Sequence, residues 1–209
     1  MIAIEYWGLI NYRAAWKAQE ELSKEVYAGT KPSTLVLCQH PTVITIGRNG
    51  SDSNILIPHS EAEESNIEII PINRGGDVTL HNPGQLVGYP IFRLTDFKED
   101  LHWFLREIEQ CIIELIKSYG IYGDRVNGLT GVWIENQKKI CAIGIHCSRW
   151  VTSHGFALNV QNDIRQFDLI VPCGIHEKSV TSMECEVVVP IDFAEIEQQC
   201  ARIFSEHFA

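Results

Sequence analysis

The sequence predicts an α+β fold: one domain, residues 1–209, whose mixed, mainly antiparallel sheet is flanked by helices. Three observations carry that prediction. Short apolar or alternating runs bounded by Gly, Pro and Asn recur along the chain, as strands do. Two long stretches, Leu101 to Tyr119 and the segment after Asp192, place apolar residues at helical spacing. No linker, internal repeat or low-complexity run divides the 209 residues, and a chain of this length can bury roughly 70% of its extended surface in one core.

In order, Ile2, Ile4 and Tyr6 alternate with Ala3 and Glu5 as a first strand ending at Gly8. Asn11 caps a helix to about Ala28, with Tyr12, Ala15, Trp16, Gln19, Leu22 and Val26 on its inner face and Gly29 at its stop. Thr34 to Cys38 reads as a buried strand and Val43 to Ile46 as another, followed by the turn Gly47-Arg48-Asn49-Gly50. The stretch Ser51 to Glu64 reads as loop with a short helix at its end, and Ile67 to Ile72 as a strand. Asn82-Pro83-Gly84 is turn chemistry, because Pro fixes φ and Gly accepts positive φ; a strand from Gln85 to Phe92 follows. After a polar connection, the Leu101–Tyr119 helix carries Phe104, Leu105, Ile108, Cys111, Ile112 and Leu115 on one stripe, with Gly120 as its stop. Gly131 to Glu135 and Lys138 to Cys147 form a hairpin around Asn136-Gln137, and a strand runs from Thr152 to Val160. Ile164 to Phe167 makes a helical turn, Val187-Val188-Val189 a late strand, and Asp192 with Glu195 a capping box for the last helix.

Composition narrows the function classes. A net charge of -10 argues against nucleic acid and anionic membrane as partners. The first residues have no basic, apolar leader pattern, and no segment reaches the ~18 apolar residues of a membrane helix. The seven cysteines are odd in number, irregularly spaced and without Cys-x-x-Cys, so neither a disulfide scaffold nor a zinc ribbon is expected; a reducing, cytoplasmic setting is.

Three features stand apart from this ordinary globule. Arg74-Gly75-Gly76-Asp77-Val78-Thr79-Leu80-His81 opens with paired glycines that let backbone approach a ligand, or else is only a hairpin turn. Strict alternation puts Lys139 in the row Cys141, Ile143, Ile145, Cys147, opposite Lys138; such a lysine either snorkels to water or serves chemistry. Cys173, pinned between Pro172 and Gly174, is the one cysteine whose setting is a tight loop, where a thiol can be presented to a cleft. A nucleophilic thiol also needs a positive neighbour, for which Lys139 and the eight histidines are candidates.

Taken together these motifs resemble the octanoyl (lipoyl) transferase family of the LipB type. The run Arg74 to Gln85, Gly131-Val132-Trp133, Lys139-Ile140-Cys141-Ala142-Ile143-Gly144, His154 to Val160 and Pro172-Cys173-Gly174-Ile175 carry the likeness, and Gly47-Arg48 and Phe167 also fit. The resemblance implies the fold of biotin and lipoate protein ligase catalytic domains. It implies octanoyl transfer from octanoyl-acyl carrier protein to a lysine of lipoyl domains, in 2-oxoacid dehydrogenases and in the glycine cleavage H protein, with no cofactor and no metal. By motif match Cys173 would be the acyl-thioester nucleophile and Lys139 its partner. Arg74, Gly75, Gly76, Asp77, Val78, Thr79, Leu80, His81, Ala142, Ile143, Gly144, Gly155, Phe156 and Ala157 would line the acyl site. Two departures are visible: Asn82 stands where the family usually has Gly, and Leu80 where an aromatic is common.

An eight-carbon chain needs an apolar slot, and each buried methylene contributes ~0.8 kcal/mol. Carrier proteins of this kind are acidic, so docking to this acidic chain calls for a local basic patch, with Arg48, Arg74 and Arg149 as candidates. Rival readings are an ATP-dependent lipoate ligase, which would leave Pro172-Cys173-Gly174 without a role, a Cys-His hydrolase using His81 or His154, and a non-enzymatic binding module. A zinc site from His81, His154 and Cys173 lacks local ligand spacing.

Overall fold

The computed structural model describes residues 1–171 and 178–209; the Cys173 loop, with Pro172, Gly174 and Ile175, lies outside the described residues. The chain opens with β1 (Ala3–Leu9) and α1 (Tyr12–Ala28). Asn11 caps α1 by accepting from the backbone N–H of Arg13 and Ala14, and Gly29 closes it in the left-handed conformation, φ 74°. Then come β2 (Thr34–Gln39), β3 (Val43–Ile46), α2 (His59–Glu64), β4 (Glu68–Pro71), β5 (Val78–His81) and β6 (Gln85–Ile91). The long apolar stripe forms α3 (Leu101–Lys117), capped by Asp100 on the N–H of Trp103. β7 (Gly123–Asp124), β8 (Val132–Ile134), β9 (Lys138–Ser148) and β10 (Val151–Asn159) follow, and the described chain ends with β11 (Ser179–Val180), α4 (Met183–Glu186) and α5 (Phe193–His207).

The main sheet runs β1-β2-β6-β10-β9-β8-β7, with β11 added to β9; a smaller sheet runs β4-β3-β5. Pairing is antiparallel except for β1–β2, β3–β4 and β9–β11. Two-residue periodicity divides β2: Leu35 and Leu37 face the cluster built on α3 and α5, while Val36 and Cys38 face α1. β10 divides likewise, with Phe156 and Leu158 toward α3 and α5 and Ala157 toward α1. Each fully buried Leu, Ile or Phe contributes about 1.5–3 kcal/mol, so both layers are held mainly by these rows.

The expected fold class holds, and the structure corrects four local readings. Val187-Val188-Val189 is not a strand: α4 ends at Glu186, and Val188 and Val189 are exposed. A β-branched run becomes a strand only where a sheet edge accepts it, and the edge of β9 here pairs with Ser179 and Val180. The β8–β9 turn sits on Glu135-Asn136, both at positive φ, one residue earlier than expected. Asp192 caps α5 through the N–H of Ala194, but Glu195 pairs with Gln199, so the reciprocal half of the capping box is not made. The fourth is the face of Lys139, which changes where β9 takes in one extra residue against β8.

Where β6, β10 and β9 meet, close approach requires glycine. A Cβ on Gly155 would lie 2.1 Å from the carbonyl oxygen of Gly88 and 2.5 Å from Pro90. Gly155→Ala should therefore destabilise the fold by about 1–3 kcal/mol, as overpacking does. In urea the midpoint should fall with the slope unchanged; an unmoved midpoint would show that these strands can part freely.

Candidate active site

The site is built on the backbone of residues 74–77. On one side the turn after β3 docks against it: the N–H groups of Gly47, Arg48 and Asn49 donate to the carbonyls of Asp77, Arg74 and Gly76 at 3.0–3.2 Å. On the other side the Gly75 N–H donates to the carbonyl of Ile145 on β9 at 2.9 Å. Glycine is a steric requirement here. A Cβ on Gly47 would fall 2.4 Å from the Gly76 carbonyl oxygen, and one on Gly144 would fall 2.7 Å from that of Gly75. The Arg74 guanidinium turns inward, donating to the carbonyl of Thr45 at 2.8 Å and its hydroxyl at 2.9 Å. At 8% exposure it belongs to the interior, so the expected basic patch retains only Arg48 and Arg149 among its three candidates. Asp77 fixes the start of β5, accepting from the Val78 N–H and from Asn54.

Against this loop lies a cavity of about 550 Å³. Its walls include Arg74 to Thr79, His81, Lys139, Ala142, Ile143, Gly144, Gly155, Phe156 and Ala157, so three separated stretches singled out in the sequence converge on one space. Leu80 does not join them; it packs on the other side of β5 with Ile44, Ile57 and Phe167. His154, which the sequence offered only as part of the family stretch and as a rival catalytic histidine, also lines the cavity; the sequence reading missed Tyr12, Asn49, Val87, Tyr89 and Ile145 as wall residues, and Leu105 with the segment Gly128-Leu129-Thr130. Of these, Leu105 and Tyr12 carried a signal as apolar-face helix positions; both border the cavity, Tyr12 while also packing with Val43, Ile70 and Ile72.

Lys139 lies on the face opposite the one alternation assigns to it. β9 pairs Val132 with Cys141 but Trp133 with Lys139, so one extra residue is accommodated there. Ile140 and Cys141 consequently both enter the core cluster, and Lys139 joins Ala142 on the cavity side. The Lys139 side chain is buried, with its ammonium 4.6 Å from the centroid of the Trp133 ring, and Lys178 approaches the same ring at 4.9 Å. Lys138 points away and pairs with Glu186 at 2.9 Å. The chain on either side of the Cys173 loop is anchored at two places: the Val171 N–H donates to the carbonyl of Asn54, whose side chain bonds Asp77, and the Thr181 N–H donates to the carbonyl of Lys139.

Histidines around the cavity are held neutral. Burial pushes His40 down to about 4 and His154 to about 3, the latter helped by Arg74. Burial, with nearby His40 and Arg74, takes His81 to about 3. His81 Nδ1–H donates to Gln85 Oε1 at 2.8 Å, which leaves Nε2 as its acceptor. His40 Nδ1–H donates to the Ile10 carbonyl, and its Nε2 accepts from the Tyr89 hydroxyl, both at 2.7 Å. His154 sits at φ 56°, with its backbone N–H on Gln19 and its ring on Asn73.

Behind His81 a chain of buried amides continues. Gln85 donates to Asn159, Asn159 to the carbonyl of Thr181, and Asn162 to Asn82 and Asn159. Asn82 donates in turn to the Asp163 carbonyl and to Gln166, both at 2.9 Å. Its side chain, not an unusual φ, is what this position uses; the positive φ of the turn belongs to Gly84. Burial raises the thiols of Cys38, Cys111, Cys141, Cys147 and Cys200, which disfavours a thiolate at each.

Residues 11–205 match the family model described as the lipoyl protein ligase A/B catalytic domain. The chain is 48% identical over 202 residues to an octanoyltransferase of Solibacter usitatus, covering 97% of this chain and 89% of that protein. It is 42% identical over 210 residues to an octanoyltransferase of Chloroflexus aurantiacus, covering 100% and 94%. Among solved structures, the bi-partite lipoate protein ligase of Thermoplasma acidophilum superposes with a TM-score of 0.73 at 15% identity, over 99% of this chain and 84% of that one. The biotin protein ligase of Aquifex aeolicus, in complex with biotin and ATP, gives 0.60 at 14% identity over 99% and 70%. These two likenesses concern the fold.

The neutral histidines set an acid limit on stability. Each has a folded value below its unfolded ~6.5, so the unfolded chain binds more protons between about pH 6.5 and 4 and acid favours unfolding there. Each histidine then removes about 1.4 kcal/mol per pH unit within that window. His207, where Glu114 and Glu107 outweigh burial and raise its value, acts only above pH 6.5 and in the opposite sense. Urea midpoints should fall from pH 6.5 to 4.5, and His40→Asn should flatten the slope. A flat midpoint over that range would place these rings in water.

Proposed function

This chain belongs to the lipoyl protein ligase A/B catalytic domain family, and from that premise we propose that it transfers an octanoyl group to a lysine of a lipoyl domain, in protein lipoylation. The donor in this reading is octanoyl-acyl carrier protein. The observation that carries it is the convergence on one cavity of the glycine-lined loop 74–77, the β9 and β10 walls and a buried lysine, Lys139. A slot lined by Ala142, Gly144, Gly155 and Ala157 suits an alkyl chain, because small residues leave room while excluding water.

The chemistry proceeds in two displacements. The Cys173 thiolate attacks the donor thioester carbonyl, the carrier's sulfur leaves with the electron pair and takes a proton from the Lys139 ammonium, and an acyl-thioester remains on Cys173 beside a now neutral Lys139 amine. The acceptor lysine amine then attacks that thioester; its proton passes to Lys139 and the Cys173 sulfur departs as thiolate. A free thiol near ~8.5 is only a few per cent ionised at neutral pH, so an adjacent ammonium multiplies the reactive fraction roughly tenfold per unit. The anchoring of Thr181 on Lys139 supports this pairing, and so do the raised thiols of the buried cysteines elsewhere. The neutral His81, with Nε2 as acceptor, suits a hydrogen-bonding role toward substrate.

Incubation with octanoyl carrier protein and a lipoyl domain, without ATP, should yield an octanoylated lysine and a hydroxylamine-labile adduct on the enzyme. Cys173→Ser should abolish the adduct. Lys139→Met should shift the pH profile of Cys173 alkylation upward and remove transfer, whereas Lys138→Met should do neither. Transfer that requires ATP would favour a ligase, and an adduct surviving in Cys173→Ser would remove this cysteine from the mechanism.

A further inference from the structure

Glu109 on α3 is fully buried, in a helix row otherwise made of Leu105, Ile112 and Ile116. Its carboxylate is shared three ways. Oε2 accepts from Arg106 Nη1 at 2.6 Å and from Arg125 Nε at 3.0 Å, and Oε1 accepts from the backbone N–H of Gly131 at 3.0 Å. Arg125 Nη2 adds bonds to the carbonyl of Arg106 and to Gln110. A single carboxylate thus grips both ends of residues 125–131.

That segment folds back through a bond from the Leu129 N–H to the Val126 carbonyl, and Gly128, Leu129 and Thr130 line the cavity together with Leu105, one turn before Glu109. At its far end a Cβ on Gly131 would meet the Cys141 carbonyl oxygen at 2.5 Å and Lys139 Cε at 3.7 Å, so the clamp closes against the stem of Lys139. A buried ion pair is an expensive way to stabilise a core, since apolar residues of similar volume serve as well or better. What the charges add is a fixed position for a segment that has little apolar packing of its own.

We propose that Glu109 is a positioning residue that clamps residues 125–131 as a wall of the acyl cavity and thereby sets the chain length the enzyme accepts. This rests on the acyl-transfer reading above. With the clamp released the wall yields, and longer chains gain relative to octanoyl.

The test compares enzyme acylation by hexanoyl, octanoyl and decanoyl thioesters of pantetheine in the full chain, wild type against Glu109→Gln, Arg125→Gln and Arg125→Lys. Arg125 is part-exposed, and its removal leaves Glu109 with Arg106 and Gly131, so Arg125→Gln should fold even if Glu109→Gln does not. We expect the octanoyl-to-decanoyl ratio of kcat/KM to fall about fivefold or more in Arg125→Gln, within the range one or two methylenes command in an apolar pocket. Arg125→Lys, which keeps a charge for Glu109, should recover part of it. A ratio within about twofold of wild type in folded Arg125→Gln, whatever the change in overall rate, would overturn the clamp alone. A wild-type enzyme that takes up no acyl group of any length would overturn the acyl-transfer reading and this inference with it.

Discussion

Everything at the site depends on backbone meeting backbone around Gly75 and Gly76. The turn 47–50 presses on one side of this strip and β9 on the other, at separations where a Cβ on Gly47 or Gly144 would penetrate a carbonyl oxygen. Hydrogen bonds from three consecutive N–H groups, Gly47 to Asn49, then align the loop. Because the contact is main chain on main chain, its geometry carries little rotamer freedom, and the cavity inherits that definition. Arg74 completes the arrangement by donating from its guanidinium to Thr45 and to the Gly75 carbonyl, which ties this strip to β3 at the cavity wall.

How much of this was legible in the sequence varies with the physics behind each residue. Helix ends were readable because capping is local: Asn11 and Gly29 act on atoms within a few residues of themselves. The convergence of residues 74–79 and His81 with 139–144 and 155–157 was readable only through resemblance, since no local rule joins the first stretch to a hairpin that begins more than fifty residues later. Lys139 shows the limit of alternation. One extra residue at the β8–β9 pairing, set by partners and not by composition, exchanges its face with no trace in the polar–apolar pattern. Val187 to Val189 failed for the complementary reason: strand propensity was present and a free edge was not.

Buried polar residues were the least legible. Glu109 interrupts an apolar helix row, and that interruption was the available signal; its partners Arg125 and Gly131 lie beyond the helix and only the fold brings them together. Asn82 was visible as a departure from the family pattern and as part of a turn. Its actual work is side-chain hydrogen bonding to Asp163, Gln166 and Asn162, which joins the turn before β6 to the chain after β10.

The position of β10 between β6 and β9 has a consequence for how this molecule breathes. Gly155 to Ala157 form part of the cavity and belong to a strand bonded on both sides, so their amides should exchange with solvent only through near-global opening. The segment 125–131 lies outside the sheet and is held through the Glu109 carboxylate, the bonds of Arg125 to Arg106 and Gln110, and one turn bond, so its local opening should cost less free energy. The cavity is therefore bounded by one wall whose opening is tied to that of the whole sheet and by another whose hold depends on the few bonds around Glu109.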